Sequence, residues 1–199
     1  MLLFQSAPNG IEAGCDEAGR GCLSGPVVAA AVILPVGFYH SKLNDSKQVN
    51  KGNRNELRLY IEENALAWAV ASCSQEEIDE INILNASILA MHRALEKLTY
   101  TFDSIAVDGN RFKPFGSIPH KTEIKGDARF LHIAASSILA KTHRDELMEK
   151  LHLEYPMYGW NTNAGYPTIS HRQAIREFGI TPYHRKSFQL LPKQWELDL

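Results

Sequence analysis

At 199 residues, with 44% hydrophobic and 22% charged side chains, the chain has the composition of an ordinary globule long enough to bury a substantial core. No apolar run reaches the length a bilayer crossing needs, and Met1-Leu2-Leu3-Phe4 lacks the basic and long apolar stretches of a secretion signal, so a cytoplasmic protein is expected. The net charge of −2 conceals an asymmetry: residues 1–110 carry 8 Lys/Arg against 14 Asp/Glu, whereas residues 111–199 carry 13 against 9 and six of the eight histidines. An acidic cluster facing a basic half suits a metal-dependent enzyme acting on a polyanion, and a chance imbalance of solvated charge explains the counts equally well. Cys15, Cys22 and Cys73 form an odd set with no C-x-x-C pair, which argues against a disulfide framework and a thiolate zinc site.

In chain order, Ile11 to Cys15 reads as a strand, followed at once by Asp16-Glu17-Ala18-Gly19-Arg20-Gly21. Two adjacent carboxylates leave a strand on opposite sides of its pleat, so both serve one site only if the chain turns directly after them. Gly19 and Gly21 permit that turn and let backbone N–H groups approach a ligand. The apolar, proline-bounded run Pro26–Pro35 reads as a strand buried on both faces. Leu43–Lys47 is a polar loop, Asn50–Glu63 has helical character, and Ala65–Cys73 reads as a third strand. Ser74-Gln75-Glu76-Glu77 matches a capping box, opening a long helix to about Lys97.

Ser104–Asn110 is the next strand, again ending in a carboxylate followed by glycine at Asp108-Gly109. A polar passage, Lys113–His120, leads to a short strand, Lys121–Lys125, that ends at Gly126-Asp127. Phe130, Ile133, Ile138 and Leu147 then mark a helix to about His152, whose small residues Ala134-Ala135-Ser136-Ser137 suit close packing on a sheet. Tyr155–Tyr166 is an aromatic loop; Thr168 or Ser170 caps a short helix that Gly179 ends, and the tail from Thr181 is irregular and basic. Strands grouped first and then alternating with helices predict an α/β fold whose mixed sheet has an antiparallel portion and parallel crossovers. One domain over residues 1–199 is expected, with about 170–199 as a helical, basic appendage packed on it.

Asp16 with Glu17, then Asp108, then Asp127 thus stand at strand ends, where an open α/β sheet collects its ligands. Four carboxylates at one place need a counter-charge, and hard divalent cations such as Mg²⁺ or Mn²⁺ supply it. Two such ions can serve the attacking water and the leaving oxygen of a phosphodiester. Taken singly, an Asp at a strand end is more often a cap or turn former, and Asp127 equally suits capping of the helix that begins near Ala128.

Asp16-Glu17-Ala18-Gly19-Arg20-Gly21, Gly25-Pro26-Val27-Val28, Asp45-Ser46-Lys47, Ile81-Asn82-Ile83-Leu84, Val107-Asp108-Gly109, Lys125-Gly126-Asp127, Ala134 to Lys141, Gly165-Tyr166-Pro167-Thr168 and His184-Arg185-Lys186-Ser187-Phe188 together resemble bacterial ribonuclease HII, in order and over nearly the whole chain. The resemblance implies an RNase H-like fold with a small C-terminal helical segment. It also implies a metal-dependent endonuclease that cuts RNA in RNA–DNA hybrids and 5′ of single ribonucleotides embedded in duplex DNA, leaving 3′-hydroxyl and 5′-phosphate ends. It implies that Asp16, Glu17, Asp108 and Asp127 bind two Mg²⁺ or Mn²⁺ ions and that Gly19, Arg20 and Gly21 surround the ribose 2′-hydroxyl, the group that separates RNA from DNA. Tyr166 matches the tyrosine packed on the following sugar, and Ser46, Lys47, His184, Arg185 and Lys186 match phosphate contacts. A solvated basic surface explains those five nearly as well.

Cys15 and Cys22 replace the aliphatic residue and proline expected at their positions. Only fifteen residues precede Asp16, fewer than the roughly 50 a further domain needs, which disfavours the type HIII relatives with an added N-terminal domain. Gln194-Trp195-Glu196-Leu197-Asp198-Leu199 loosely resembles tails that dock on the sliding clamp. A cytoplasmic monomer with a water nucleophile is the expectation. A junction resolvase, indifferent to the 2′-hydroxyl, and a non-catalytic hybrid-binding module are the competing readings.

Overall fold

The computed structural model describes residues 2–45 and 51–191. Its centre is a five-stranded mixed sheet of β1 (Glu12–Ala18), β2 (Val27–Ile33), β3 (Ala67–Cys73), β4 (Ser104–Asp108) and β5 (His120–Glu123), in the order β3-β2-β1-β4-β5. β1 runs antiparallel to β2 and β2 to β3, while β4 lies parallel to β1 and β5 parallel to β4. The sheet therefore has the expected antiparallel and parallel portions. β2, Val-Val-Ala-Ala-Ala-Val-Ile, is buried along its whole length, as its unbroken apolar run predicts. Full burial of each of its valines and its isoleucine contributes about 1.5–3 kcal/mol.

The described residues include five α-helices: α1 (Lys51–Asn64), α2 (Gln75–Glu96), α3 (Leu131–Glu154), α4 (Trp160–Asn163) and α5 (Ile169–Phe178). α2 covers one face of the sheet with Ile78, Ala86, Ala90, Met91, Ala94 and Leu95. α3 covers the other with Leu131, Ala134, Ala135, Ile138 and Leu139. The capping box at α2 is present in both directions: the Ser74 hydroxyl accepts from Glu77 N at 3.3 Å, and the Glu77 carboxylate accepts from Ser74 N at 2.8 Å. α2 is broken within its span at Asn82 (φ 65°), whose Oδ1 accepts from the backbone N–H of Leu84 and Asn85 and so restarts the helix as an N-cap does.

A third, aromatic core joins Leu23 and Met148 to Tyr158, Trp160, Ala174 and Ile175, with Tyr155, Tyr183 and Phe188 packed against it. It seats α5, capped by Thr168, and the tail on the C-terminal part of α3. The differences from the sequence pattern are local. β1 continues three residues past Cys15 because β2 offers partners as far as Val28. β5 stops at Glu123 because Lys125 turns left-handed at φ 56°. The aromatic loop contains the single turn α4.

Candidate active site

β1 and β4 are paired in parallel with Cys15 opposite Val107, so the next residues on the two strands are Asp16 and Asp108. Alternation places Asp16 on the α3 face of β1, where it is 5% exposed and receives a hydrogen bond from Ser137 of α3. Ser137 in turn accepts from Lys141 Nζ at 2.6 Å, so a lysine–serine relay backs the carboxylate. Glu17, one residue on, pairs with Arg20 (Oε1–Nη1 3.1 Å). Asp108 Oδ1 accepts from Gly126 N at 2.7 Å, which ties the end of β4 to the turn carrying Asp127. Asp127 lies in a single 3₁₀ turn, Gly126–Ala128, entered through left-handed Lys125, and the residue preceding α3 is Phe130. Asp127 thus stands in that turn, three residues ahead of Phe130 and not at the position that precedes α3.

Burial raises the Asp16 carboxyl well above its ordinary range, and the nearby Glu17 and Asp108 carboxylates push it further, against the pull of Ser137 and Lys141. Glu17 is raised by burial against the opposing Arg20. Asp108 is raised by burial and by Asp127, with the Gly126 N–H working the other way. The four carboxylates therefore act on one another, and three are held in a state that a cation would relieve. Among the described residues, no three His, Cys, Asp or Glu side chains stand close enough to hold one ion as placed. The hard oxygen donors nevertheless have the chemistry of a Mg²⁺ or Mn²⁺ site, where one or two carboxylates per ion suffice beside water and substrate oxygens.

Directly after β1, Gly19 sits at φ +98° over the guanidinium of Arg144. A Cβ on Gly19 would lie 2.0 Å from Arg144 Nε, so only glycine fits. Arg20 is exposed, and its carbonyl accepts from Arg185 Nη1 at 3.0 Å. Gly21 is open to solvent; a Cβ there would meet only the Tyr166 ring, at 3.9 Å. Tyr166, half exposed, borders a cleft of about 290 Å³ with Ala18, Gly19, Lys141, Arg144 and Arg54. The cleft adjoins the two residues that follow the carboxylates on β1 and shares Lys141 with the Asp16 relay.

The basic cluster at 184–186 divides. His184 and Arg185 are fully buried, so neither presents itself to a phosphate as expected from the sequence; only Lys186 lies at the surface. Arg185 instead braces the loop from within, donating to the carbonyls of Gly25 (3.0 Å) and Arg20, and burial lowers its pKa to about 10. His184 Nδ1 accepts from Thr181 N at 3.0 Å, and its Nε2 lies 3.3 Å from His171 Nε2. Trp160 Nε1 donates to that same His171 nitrogen, which leaves His171 Nδ1–H to donate to the Tyr166 carbonyl at 2.9 Å. Ser46 and Lys47 lie outside the described residues. Arg144 and His171 were not singled out from the sequence, and Ser137 and Lys141 entered only within the Ala134–Lys141 motif, whose small residues suited packing on the sheet.

The family model for ribonuclease HII matches residues 13–191. The chain belongs to the ribonuclease HII family. It is 62% identical to ribonuclease HII of Christiangramia forsetii over 186 residues, 94% of each chain, and 60% identical to that of Parabacteroides distasonis over 99% of each. Among solved structures it resembles ribonuclease H2 of Pyrococcus horikoshii (TM-score 0.74, 26% identity, 90% of this chain and 94% of that one). It also resembles the ribonuclease HII in the PCNA complex from Archaeoglobus fulgidus (TM-score 0.75, 25% identity, 93% and 98%). The Mn²⁺ complex of Bst-RNase HIII shares the fold alone, at 19% identity and TM-score 0.72. The ribonuclease HII match spans both Asp16 to Gly21 and the tail through Arg185, so the family's fold and these loops come as one unit.

Proposed function

We propose that this chain is an endoribonuclease that hydrolyses the RNA strand of RNA–DNA hybrids and incises duplex DNA 5′ of an embedded ribonucleotide. Water attacks phosphorus, the bond to the 3′-oxygen breaks, and 3′-hydroxyl and 5′-phosphate ends result. The observation that carries this reading is the juxtaposition, at the end of β1, of a buried carboxylate cluster around Asp16 with a glycine-bracketed loop whose backbone is open at Gly21. Asp16, Glu17, Asp108 and Asp127 hold the divalent cations, Mg²⁺ or Mn²⁺, which when bound activate water and stabilise the leaving oxygen. Lys141, through Ser137, keeps Asp16 oriented. The Gly19–Gly21 backbone meets the 2′-hydroxyl, and the exposed Arg20 and Lys186 offer charge to phosphates. Tyr166, beside Gly21, packs on the sugar that follows the ribonucleotide.

The test is a duplex containing one ribonucleotide, incubated with wild type, with Asp16→Asn and with wild type plus EDTA. One cut 5′ of the ribonucleotide by wild type alone is expected. Cleavage by Asp16→Asn at the wild-type rate sinks the carboxylate assignment, and equal cutting of an all-DNA junction favours the resolvase reading instead. A second proposal concerns residues 194–199, outside the described residues, as a clamp-binding tail in a cytoplasmic monomer. The PCNA complex of the archaeal relative supports it, and clamp binding unchanged by deleting those six residues removes it.

A further inference from the structure

The loop that meets the 2′-hydroxyl and the tyrosine that packs on the next sugar lie 145 positions apart in the chain, so their separation has to be set by something between them. Arg144, 2% exposed on α3, lies at that point. Its Nη1 donates to Ala164 O at 2.8 Å, two residues before Tyr166, while Nη2 and Nε donate to Ser24 O and Pro26 O, each at 3.1 Å. The same guanidinium forms the floor under Gly19, where even a methyl group would collide with Nε, Cδ and Cζ. We propose that Arg144 is a positioning residue for the RNA-to-DNA junction: one planar guanidinium fixes the spacing between the Gly19–Gly21 loop and the Tyr166 loop.

This rests on the ribonuclease reading above. Neighbouring contacts hold the two loops against Arg144 from outside: Leu23 N donates to Gly165 O at 2.8 Å, and His171 Nδ1 to Tyr166 O. Three carbonyls in three directions call for the rigid fork of arginine; a lysine keeps the charge and reaches one of them at a time. A single embedded ribonucleotide has to satisfy the hydroxyl-sensing loop and Tyr166 together, at adjacent sugars. A continuous RNA–DNA hybrid offers a 2′-hydroxyl at every step and no junction, so it depends far less on that spacing.

The test compares wild type, Arg144→Lys and Arg144→Gln on two substrates, a duplex with one ribonucleotide and a continuous hybrid, with thermal unfolding of each protein recorded. The expected result is a fall in kcat/KM of about 100-fold on the single ribonucleotide, the scale of a misplacement near 1 Å, with the hybrid rate kept within a few-fold. Arg144→Lys is expected to fail like Arg144→Gln; it retains the charge and the aliphatic stem and carries the comparison alone if the glutamine variant unfolds. Equal loss on both substrates overturns the inference, because that is what general loosening gives. Full activity of Arg144→Lys also overturns it, since charge alone would then suffice. Wild type that cuts neither substrate overturns the ribonuclease reading itself.

Discussion

Gly19 and Gly21 bracket the same arginine, yet alanine at the two positions should fail in opposite ways. At Gly19, φ +98° already costs a residue with a side chain about 1–3 kcal/mol. The new Cβ would also stand 2.0 Å from Arg144 Nε, 2.6 Å from Cδ and 2.8 Å from Cζ, so the guanidinium has to leave its three carbonyl partners. Loss of even one charged hydrogen bond there adds about 1.5–3 kcal/mol, so Gly19→Ala should destabilise by roughly 2.5–6 kcal/mol, a large share of a domain's typical stability. At Gly21 there is room, no left-handed φ, and only Tyr166 at 3.9 Å, so Gly21→Ala should unfold within about 0.5 kcal/mol of wild type. Its methyl group blocks close approach of the ligand, and one lost hydrogen bond lowers kcat/KM on a ribonucleotide substrate by about tenfold. Denaturant titration and cleavage assays on both variants separate the two cases. A Gly19→Ala protein as stable as wild type would show that Arg144 does not occupy the space under the loop.

Removal of a crowded charge should stabilise the metal-free protein. The raised carboxyl of Asp16 carries no penalty below its unfolded-state pKa and a growing one as pH rises toward its folded value, so Asp16→Asn should have the higher Tm at neutral pH and lose that advantage in acid. Added Mn²⁺ should raise the wild-type Tm more than the variant's; equal shifts in both would argue against Asp16 as a ligand. The buried imidazole of His184 gives the opposite slope. Its folded pKa is pushed down to about 4, so stability is complete above 6.5 and falls by about 3 kcal/mol as pH drops toward 4, which urea titrations across that range measure. An acid limb no shallower in His184→Gln would exclude that cause.

Local chemistry was legible where a signal and its consequence lie within a few residues. The capping box at Ser74 and the carboxylate-then-glycine ends of β1 and β4 are of that kind, as is the unbroken apolar run of β2. The sheet's mixed pairing followed from the order of strands and helices. His184 and Arg185 were misplaced because charge and polarity suggested a surface, whereas their partners are Thr181, His171 and backbone carbonyls at Arg20 and Gly25, the last two some 160 residues away. Nothing in a basic tripeptide announces a carbonyl cage. Arg144 was hidden in the same way, since its carbonyl partners at Ala164, Pro26 and Ser24 lie 20, 118 and 120 residues away in the chain. The break at Asn82 has a local cause, an asparagine able to cap the next turn, but the apolar periodicity on either side of it masked the signal.

The bracing of Arg20 by Arg185 also has a bearing on how the protein is made. During synthesis from the N-terminus, Asp16, Glu17, Asp108 and Asp127 are all joined before Arg185 is added, so a growing chain owns its acidic residues while the loop beside them still lacks its last internal strut. Completion of the Gly19–Gly21 loop is thereby deferred until Arg185 has been added, and a chain truncated ahead of residue 185 carries the four carboxylates without the internal brace of the loop beside them.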